Sequence, residues 1–193
     1  MKWIVVTQPQ AFRCEAEYIA RLLGLGVDYI HLRKPEASEA EYESLIQSIP
    51  QPLHPLLTLH DHFALSEKYH VGGLHLNSRQ DTLPETFAGR VSRSCHSMDE
   101  VIEWKDRVDY LFLSPIFDSV SKERYASAFS HNTLLEASLR GYIDHRVVAL
   151  GGVKLENIPY LRRLGFGGVA QLGDVWQRVD DEIYLSKIAD AVR

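Results

Sequence analysis

Cysteine and methionine are scarce in this chain, with two of each among 193 residues. Cys14 and Cys95 lie far apart, and neither has a neighbour at metal-ligand spacing. That pattern excludes a disulfide framework and points to reduced thiols in a cytosol. Long apolar runs are missing too. The opening "MKWIVVTQP" holds one short hydrophobic stretch stopped by Thr7, Gln8 and Pro9, too short for a signal-peptide core or a spanning helix. Positive charge is in deficit: 21 Lys and Arg face 26 Asp and Glu, a formal net charge of -5. A general nucleic-acid surface is therefore not expected, because counterion release needs a basic face. No linker, low-complexity tract or shift in composition divides the sequence. An apolar content of 45% can fill one sizeable core, so a single domain over residues 1–193 is expected. Together these features predict a cytoplasmic protein with neither nucleic-acid nor membrane partners. The ordinary helix faces leave a homo-oligomer open.

What the chain does have is a recurring unit: a short run rich in Val, Ile and Leu, then a longer amphipathic or polar segment. Strands are predicted over 3–8, 29–34, 56–60, 73–77, 90–96, 110–115, 146–151 and 168–173. Helices are predicted over 14–26, 38–49, 61–70, 97–107, 132–142, 154–165 and 180–193. Ser38 and Ser97, each followed by acids, are expected N-caps. Gly24, Gly72 and Gly165 are expected helix stops. Consecutive strands are too far apart for hairpins, so they must be parallel and joined by crossover helices. Eight such units predict a (β/α)8 TIM barrel with short loops. An open doubly wound sheet has similar content, but "TQPQAF" after the first strand lacks the Gly-rich dinucleotide turn.

In a parallel barrel the carboxyl ends of the strands form the active-site mouth. The stretch "YIHLRKPEAS" at 29–38 is then informative, since it carries His31, Arg33 and Lys34 at a strand tip. Period-two alternation turns His31 and Arg33 inward and Ile30 and Leu32 toward the helices. The same parity turns Thr58 and His60 inward on the third strand, with Asp61 just beyond. His75 and Asn77 follow on the fourth, Ser94 and His96 on the fifth, and Ser114 on the sixth. One inward histidine is more often a satisfied core residue than a catalytic one. It is the repetition of polar groups along one rim that points to a site.

A second signal comes from glycines. "ALGGVKLENI" and "GFGGVAQLGDVW" place Gly151, Gly152 and Gly173 at the ends of the last two strands, where barrels often hold a phosphate on backbone N–H groups. Tight turns between strand and helix are the alternative reading. The loop "SPIFDSVSKER" adds Ser119, Ser121 and Lys122. Hydroxyls, an ammonium and amides around one mouth suit phosphate and diphosphate groups, and Arg33 and Lys34 add positive charge, so a doubly anionic ligand is expected.

These residues resemble the thiamine phosphate synthase and TenI family. "HLRKP" is similar to the family's QLREK, "HDH" to its NDR, "GLHLN" to GvHLGQeD and "SCHS" to SvHS, while "SPIFDSVSK", "ALGG" and "GGVAQLGDVW" resemble its later phosphate-loop segments. The resemblance runs through nearly the whole chain. It implies a (β/α)8 barrel that couples a pyrimidine methyl diphosphate to a thiazole phosphate with release of pyrophosphate, in thiamine biosynthesis. By that resemblance Arg33 and Lys122 would hold the diphosphate, and Asp61 would bind a bridging Mg²⁺. Ser94 would sit near the leaving group or the pyrimidine. Ser119 and Ser121 would join the amides of Gly152, Leu172 and Gly173 around the thiazole phosphate. His31, His60, His75, Lys34 and Gly151 would complete the site.

The sequence also departs from the family pattern. His31 replaces its Gln, His60 replaces its Asn, and Pro35 stands where a Lys is expected, with Lys34 one place early. The second Mg²⁺ carboxylate has become Gln80, and Asp81 falls one place too late. Arg79 resembles the TenI branch, whose activity is tautomerisation of a thiazole carboxylate phosphate, yet the branch's catalytic His is Pro115 here. A metal-independent tautomerase and a non-catalytic phosphate binder are therefore carried as alternatives to the transferase.

Overall fold

The computed structural model describes residues 1–117 and 129–193. Strands β1 (Lys2–Val6), β2 (Tyr29–Leu32), β3 (Leu57–Leu59), β4 (Gly73–Leu76), β5 (Arg90–Cys95), β6 (Tyr110–Leu113), β7 (Val147–Leu150) and β8 (Gly168–Gln171) pair in sequence order. Each neighbouring pair is parallel, and β8 closes on β1 with Lys2 opposite Gly168. The open-sheet alternative falls here. Helices α1 (Glu15–Gly24), α2 (Glu39–Ser48), α3 (Leu65–Tyr69), α4 (Met98–Trp104), α5 (His131–Leu139) and α6 (Ile158–Arg163) follow β1, β2, β3, β5, β6 and β7, a loop joins β4 to β5, and α7 (Gly173–Trp176) and α8 (Glu182–Val192) both follow β8.

Local chemistry explains several boundaries. Ser38 and Glu41 form a reciprocal capping box at the start of α2, and Ser97 accepts the Glu100 N–H at 3.2 Å at the start of α4. Both predicted caps therefore hold. Two of the glycine stops act differently. The chain turns out of α3 at His70, whose φ of 54° is left-handed. Gly72 is needed for another reason: a Cβ there would lie 2.1 Å from the Pro55 carbonyl oxygen. Gly24 is the last residue of α1, and the left-handed turn falls on Gly26 at φ 103°. The predicted helix over 61–70 shrinks to five residues. A 3₁₀ turn over Gln51–Leu56 and the short α7 have no counterpart in the pattern of hydrophobic residues.

The apolar residues divide into two bodies. The outer one lies between barrel and helices and includes Ile30, Leu32, Leu57, Leu59, Leu111 and Leu113. The inner one fills the barrel with Ile4, Val6, Tyr110, Phe112, Val148 and Ala170. Its buried members come from β1, β6, β7 and β8, and half-buried Tyr29 at the start of β2 packs against them, its ring stacked on Tyr110. On β2 to β5 the inward positions are taken by His31, Thr58, His60, His75 and Ser92, all buried. One half of the barrel interior is therefore greasy and the other half polar. Such a division is costly unless the polar half is hydrogen-bonded or meets a ligand.

Candidate active site at the carboxyl ends of the strands

Three imidazoles form the polar floor. His31 Nδ1 lies 2.8 Å from His60 Nε2, and His31 Nε2 lies 2.7 Å from the Tyr110 hydroxyl. His75 Nδ1 and Nε2 lie 2.8 Å from the hydroxyls of Ser92 and Ser94. The rings of His60 and His75 stack with centroids 4.1 Å apart. Burial pushes the His31 and His60 imidazoles well below their ordinary range, with neighbouring imidazoles and guanidinium groups adding to the effect. Burial, then the charges of Arg93 and Arg33, push His75 down to about 3. All three therefore stay neutral near pH 7. The floor offers hydrogen bonds, not positive charge. His60 keeps slight exposure and sits nearest the mouth, while His31 and His75 have none.

Positive charge comes from the rim. Arg33 follows β2, is half-buried, and its guanidinium has no partner among the described residues. Its charge reaches both His60 and His75. Lys34 behaves otherwise, with its ammonium turned away from the rim. The ammonium donates to Gln8 O at 2.7 Å, Gln10 O at 2.9 Å and Glu15 Oε1 at 2.7 Å. Its three donors are used, and the side chain is only 3% exposed. Alternation predicts the reason, since the residue after inward Arg33 points out between barrel and helix. There Lys34 staples the first loop to α1.

Asp61 lies beyond β3 but is not free either. Arg79, in the loop after β4, donates from Nη2 to both carboxylate oxygens at 3.1 and 3.4 Å, and from Nε to Oδ1 at 3.3 Å. Asn77 builds this arrangement. Its Oδ1 accepts the N–H groups of Arg79 and Gln80 at 2.9 and 3.2 Å, while its Nδ2 donates to His60 O at 2.8 Å. Asp81 is exposed and accepts from Thr82 Oγ1 at 3.0 Å, so it does not return to the position of the absent second carboxylate. A divalent ion of the Mg²⁺ type needs oxygen ligands free to approach it. The single carboxylate here is engaged by the Arg79 guanidinium, so an ion at Asp61 would have to compete with that pair.

On the opposite side of the mouth, Gly151 and Gly152 follow β7 with φ of 93° and 63°. Gly173 begins α7, with open space where its Cβ would be. The Gly152 N–H has no partner among the described residues, and the first N–H groups of a helix have none within it. Leu172 packs at the edge of the inner apolar body. Ser94 faces the floor through His75, whereas His96 is exposed and contacts Ser114 O at 3.0 Å. Ser119, Ser121 and Lys122 lie outside the described residues.

Tyr110, Ser92 and Arg79 complete the arrangement, yet the sequence reading gave them no such roles. Inward parity on β5 and β6 marks Ser92 and Tyr110, and only their distance from the rim hid them. The Asp61–Arg79 pair joins two loops and leaves no local trace.

A closed parallel barrel with its polar groups gathered at the carboxyl ends of the strands defines a (β/α)8-barrel protein of the mouth-sited kind. Residues 3–175 match the family model described as thiamine monophosphate synthase, and the chain belongs to that family. Thiamine-phosphate synthase of Cronobacter sakazakii is 29% identical over 173 residues, covering 85% of this chain and 82% of that protein. The corresponding protein of Syntrophomonas wolfei is 29% identical over 177 residues, covering 86% and 83%. The crystal structure of thiamine phosphate pyrophosphorylase from Bacteroides thetaiotaomicron superposes with a TM-score of 0.84 at 39% identity, covering 100% of this chain and 94% of that one. The Pyrococcus furiosus protein of the same description shares the fold, with a TM-score of 0.79 at 20% identity over 99% and 95% of the two chains.

Proposed function

We propose that the chain is a thiamine-phosphate synthase-type transferase, which joins a pyrimidine methyl diphosphate to a thiazole phosphate. The thiazole nitrogen lone pair forms the new C–N bond, the C–O bond to the diphosphate breaks, and pyrophosphate leaves with that electron pair. The observation that carries this reading is the pairing of two anion-binding features on one rim. Just beyond β2 stands the Arg33 guanidinium and, across the mouth, the Gly152 N–H with the start of α7, each without a partner among the described residues. Two such features suit a substrate pair that is anionic at both ends. In this reading Arg33 takes the diphosphate, and Gly151, Gly152, Leu172 and Gly173 surround the thiazole phosphate. Ser119, Ser121 and Lys122, which lie outside the described residues, are assigned to the same phosphate groups by the family resemblance alone. Positive groups around a departing diphosphate stabilise the charge it gains in the transition state.

The imidazoles favour the transferase over the isomerase. A tautomerase base works best with a pKa near neutrality, whereas His31, His60 and His75 are all depressed by burial. Neutral imidazoles can instead orient a polar aromatic ring through hydrogen bonds, with His60 nearest to it. Incubating the purified protein with both substrates tests the assignment: thiamine phosphate and pyrophosphate should appear in equal amounts. Fast isomerisation of the thiazole carboxylate tautomer without coupling would reverse the order of the two readings.

A further inference from the structure

We propose that Arg79 is a built-in cation of the diphosphate site, taking the place of a divalent metal ion, with Asp61 as its holder. This rests on the reading above that the ligand carries a diphosphate. Three observations support it. Arg79 meets Asp61 through two of its nitrogens, Nε and Nη2, at 3.1 to 3.4 Å, while Nη1 has no partner among the described residues. The arginine side chain is 47% exposed and the aspartate side chain 13%, so the carboxylate is the anchored partner and the guanidinium the presented one. Asn77 fixes the loop by accepting two consecutive N–H groups, and main-chain bonds between Asn77 and Gln80 at 2.9 and 3.1 Å close the turn. The position of Arg79 is therefore set by its loop before any ligand arrives.

Charge bookkeeping agrees with the geometry. Two carboxylates around one dication sum to zero, and so do one carboxylate and one guanidinium. The exchange of an acid for neutral Gln80, with Arg79 beside it, keeps that balance without an ion. A guanidinium also presents parallel N–H donors that match phosphate oxygens, which gives direction as well as charge. Arg33, at the end of β2 two strands away on the same side of the rim, would then supply the second cation for the same diphosphate.

The test is calorimetric titration of inorganic pyrophosphate into the whole protein, in EDTA and in excess Mg²⁺. Pyrophosphate should bind in EDTA with an affinity within about threefold of that in Mg²⁺. Arg79→Ala should weaken binding in EDTA by roughly 30-fold, Arg79→Lys should recover part of it, and Asp61→Asn should keep most of the metal-free binding. Circular dichroism of each variant confirms the fold before titration. Binding that requires Mg²⁺ in the parent protein, binding abolished by Asp61→Asn but not by Arg79→Ala, or no binding under either condition would each overturn the proposal. A parallel transferase assay separates the two ideas. Metal-free pyrophosphate binding without product sinks the transferase reading and leaves Arg79 in place. Product formed only when Mg²⁺ is added, with binding that also needs Mg²⁺, sinks the role of Arg79 and leaves the transferase.

Discussion

His31 and His60 touch through their ring nitrogens, Nδ1 to Nε2 at 2.8 Å, inside a barrel half that holds no acidic side chain at an inward position on β2 to β5. One nitrogen must donate and the other accept, so the contact tolerates a proton on one ring but not on both. Because Tyr110 sits on the far nitrogen of His31, the tautomer of the pair depends on a hydroxyl at the base of the barrel. His60 can thus present Nδ1 to the mouth as a donor or an acceptor without carrying charge.

Acid should weaken the fold through these rings. A histidine depressed in the native state stays neutral there while its unfolded counterpart takes a proton. Its contribution is whole above pH 6.5 and shrinks as pH falls from there toward the native value. For His75, held at about 3, the loss at pH 5 is on the order of 2 kcal/mol. Urea midpoints at pH 7 and pH 5 measure it, and His75→Gln should flatten the difference. An equal midpoint at the two pH values in the parent protein would rule out a buried neutral imidazole at this position.

Lys34 should matter for stability and not for ligand affinity. It shares a buried ion pair with Glu15 at 2.7 Å, and each side chain is almost wholly covered. Burial opposes both charges, raising the Glu15 carboxyl and lowering the Lys34 ammonium, while their mutual attraction works the other way. Lys34→Ala strands a buried carboxylate, at a cost of about 3–5 kcal/mol. Replacing both partners by apolar residues should return much of it. Chemical denaturation reads the stability, and titration of the folded variant with pyrophosphate should give an unchanged affinity.

Arg33→Met should show the opposite behaviour. Its guanidinium makes no hydrogen bond or ion pair with another described residue that the fold would lose, so the urea midpoint should stay within about 0.5 kcal/mol of the parent. The value of kcat/KM should fall by on the order of 10²-fold, the usual effect of removing one preorganised charge from a transition state. Steady-state kinetics beside a denaturation curve separates the two effects. A stable variant with full activity would remove Arg33 from the site.

Two glycines distinguish fold from ligand. At Gly151, φ is 93° and an added Cβ would meet Pro115 Cα at 2.8 Å. Gly151→Ala should therefore destabilise by roughly 1–3 kcal/mol. At Gly173 an added Cβ meets nothing within 4 Å. Gly173→Ala should leave the melting temperature essentially unchanged and raise KM for the thiazole phosphate by about tenfold, because the methyl occupies space reserved for the phosphate. An unchanged KM would show that the short α7 is only a turn.

The alternation of Val-, Ile- and Leu-rich runs with helical segments was enough, without coordinates, to set eight parallel strands with crossover connections, while closure of β8 on β1 into a barrel was decided by the tertiary structure. Strand parity alone put His31, Arg33, His60, His75 and Ser94 inside and Ile30 and Leu32 outside, because a two-residue period has only two faces to choose between. The caps at Ser38 and Ser97 were equally local, each a side chain answering backbone three residues away. Tertiary structure decided what those residues do to one another. Whether a charge at a rim is free or already answered depends on loops far apart in the chain, which no periodicity links. Arg33 has no partner among the described residues, Lys34 is engaged by Glu15 across 19 positions, and Asp61 by Arg79 across 18. The imidazoles illustrate the same division: their inward direction followed from the pleat, but their neutrality arose only when eight strands closed and shut water out.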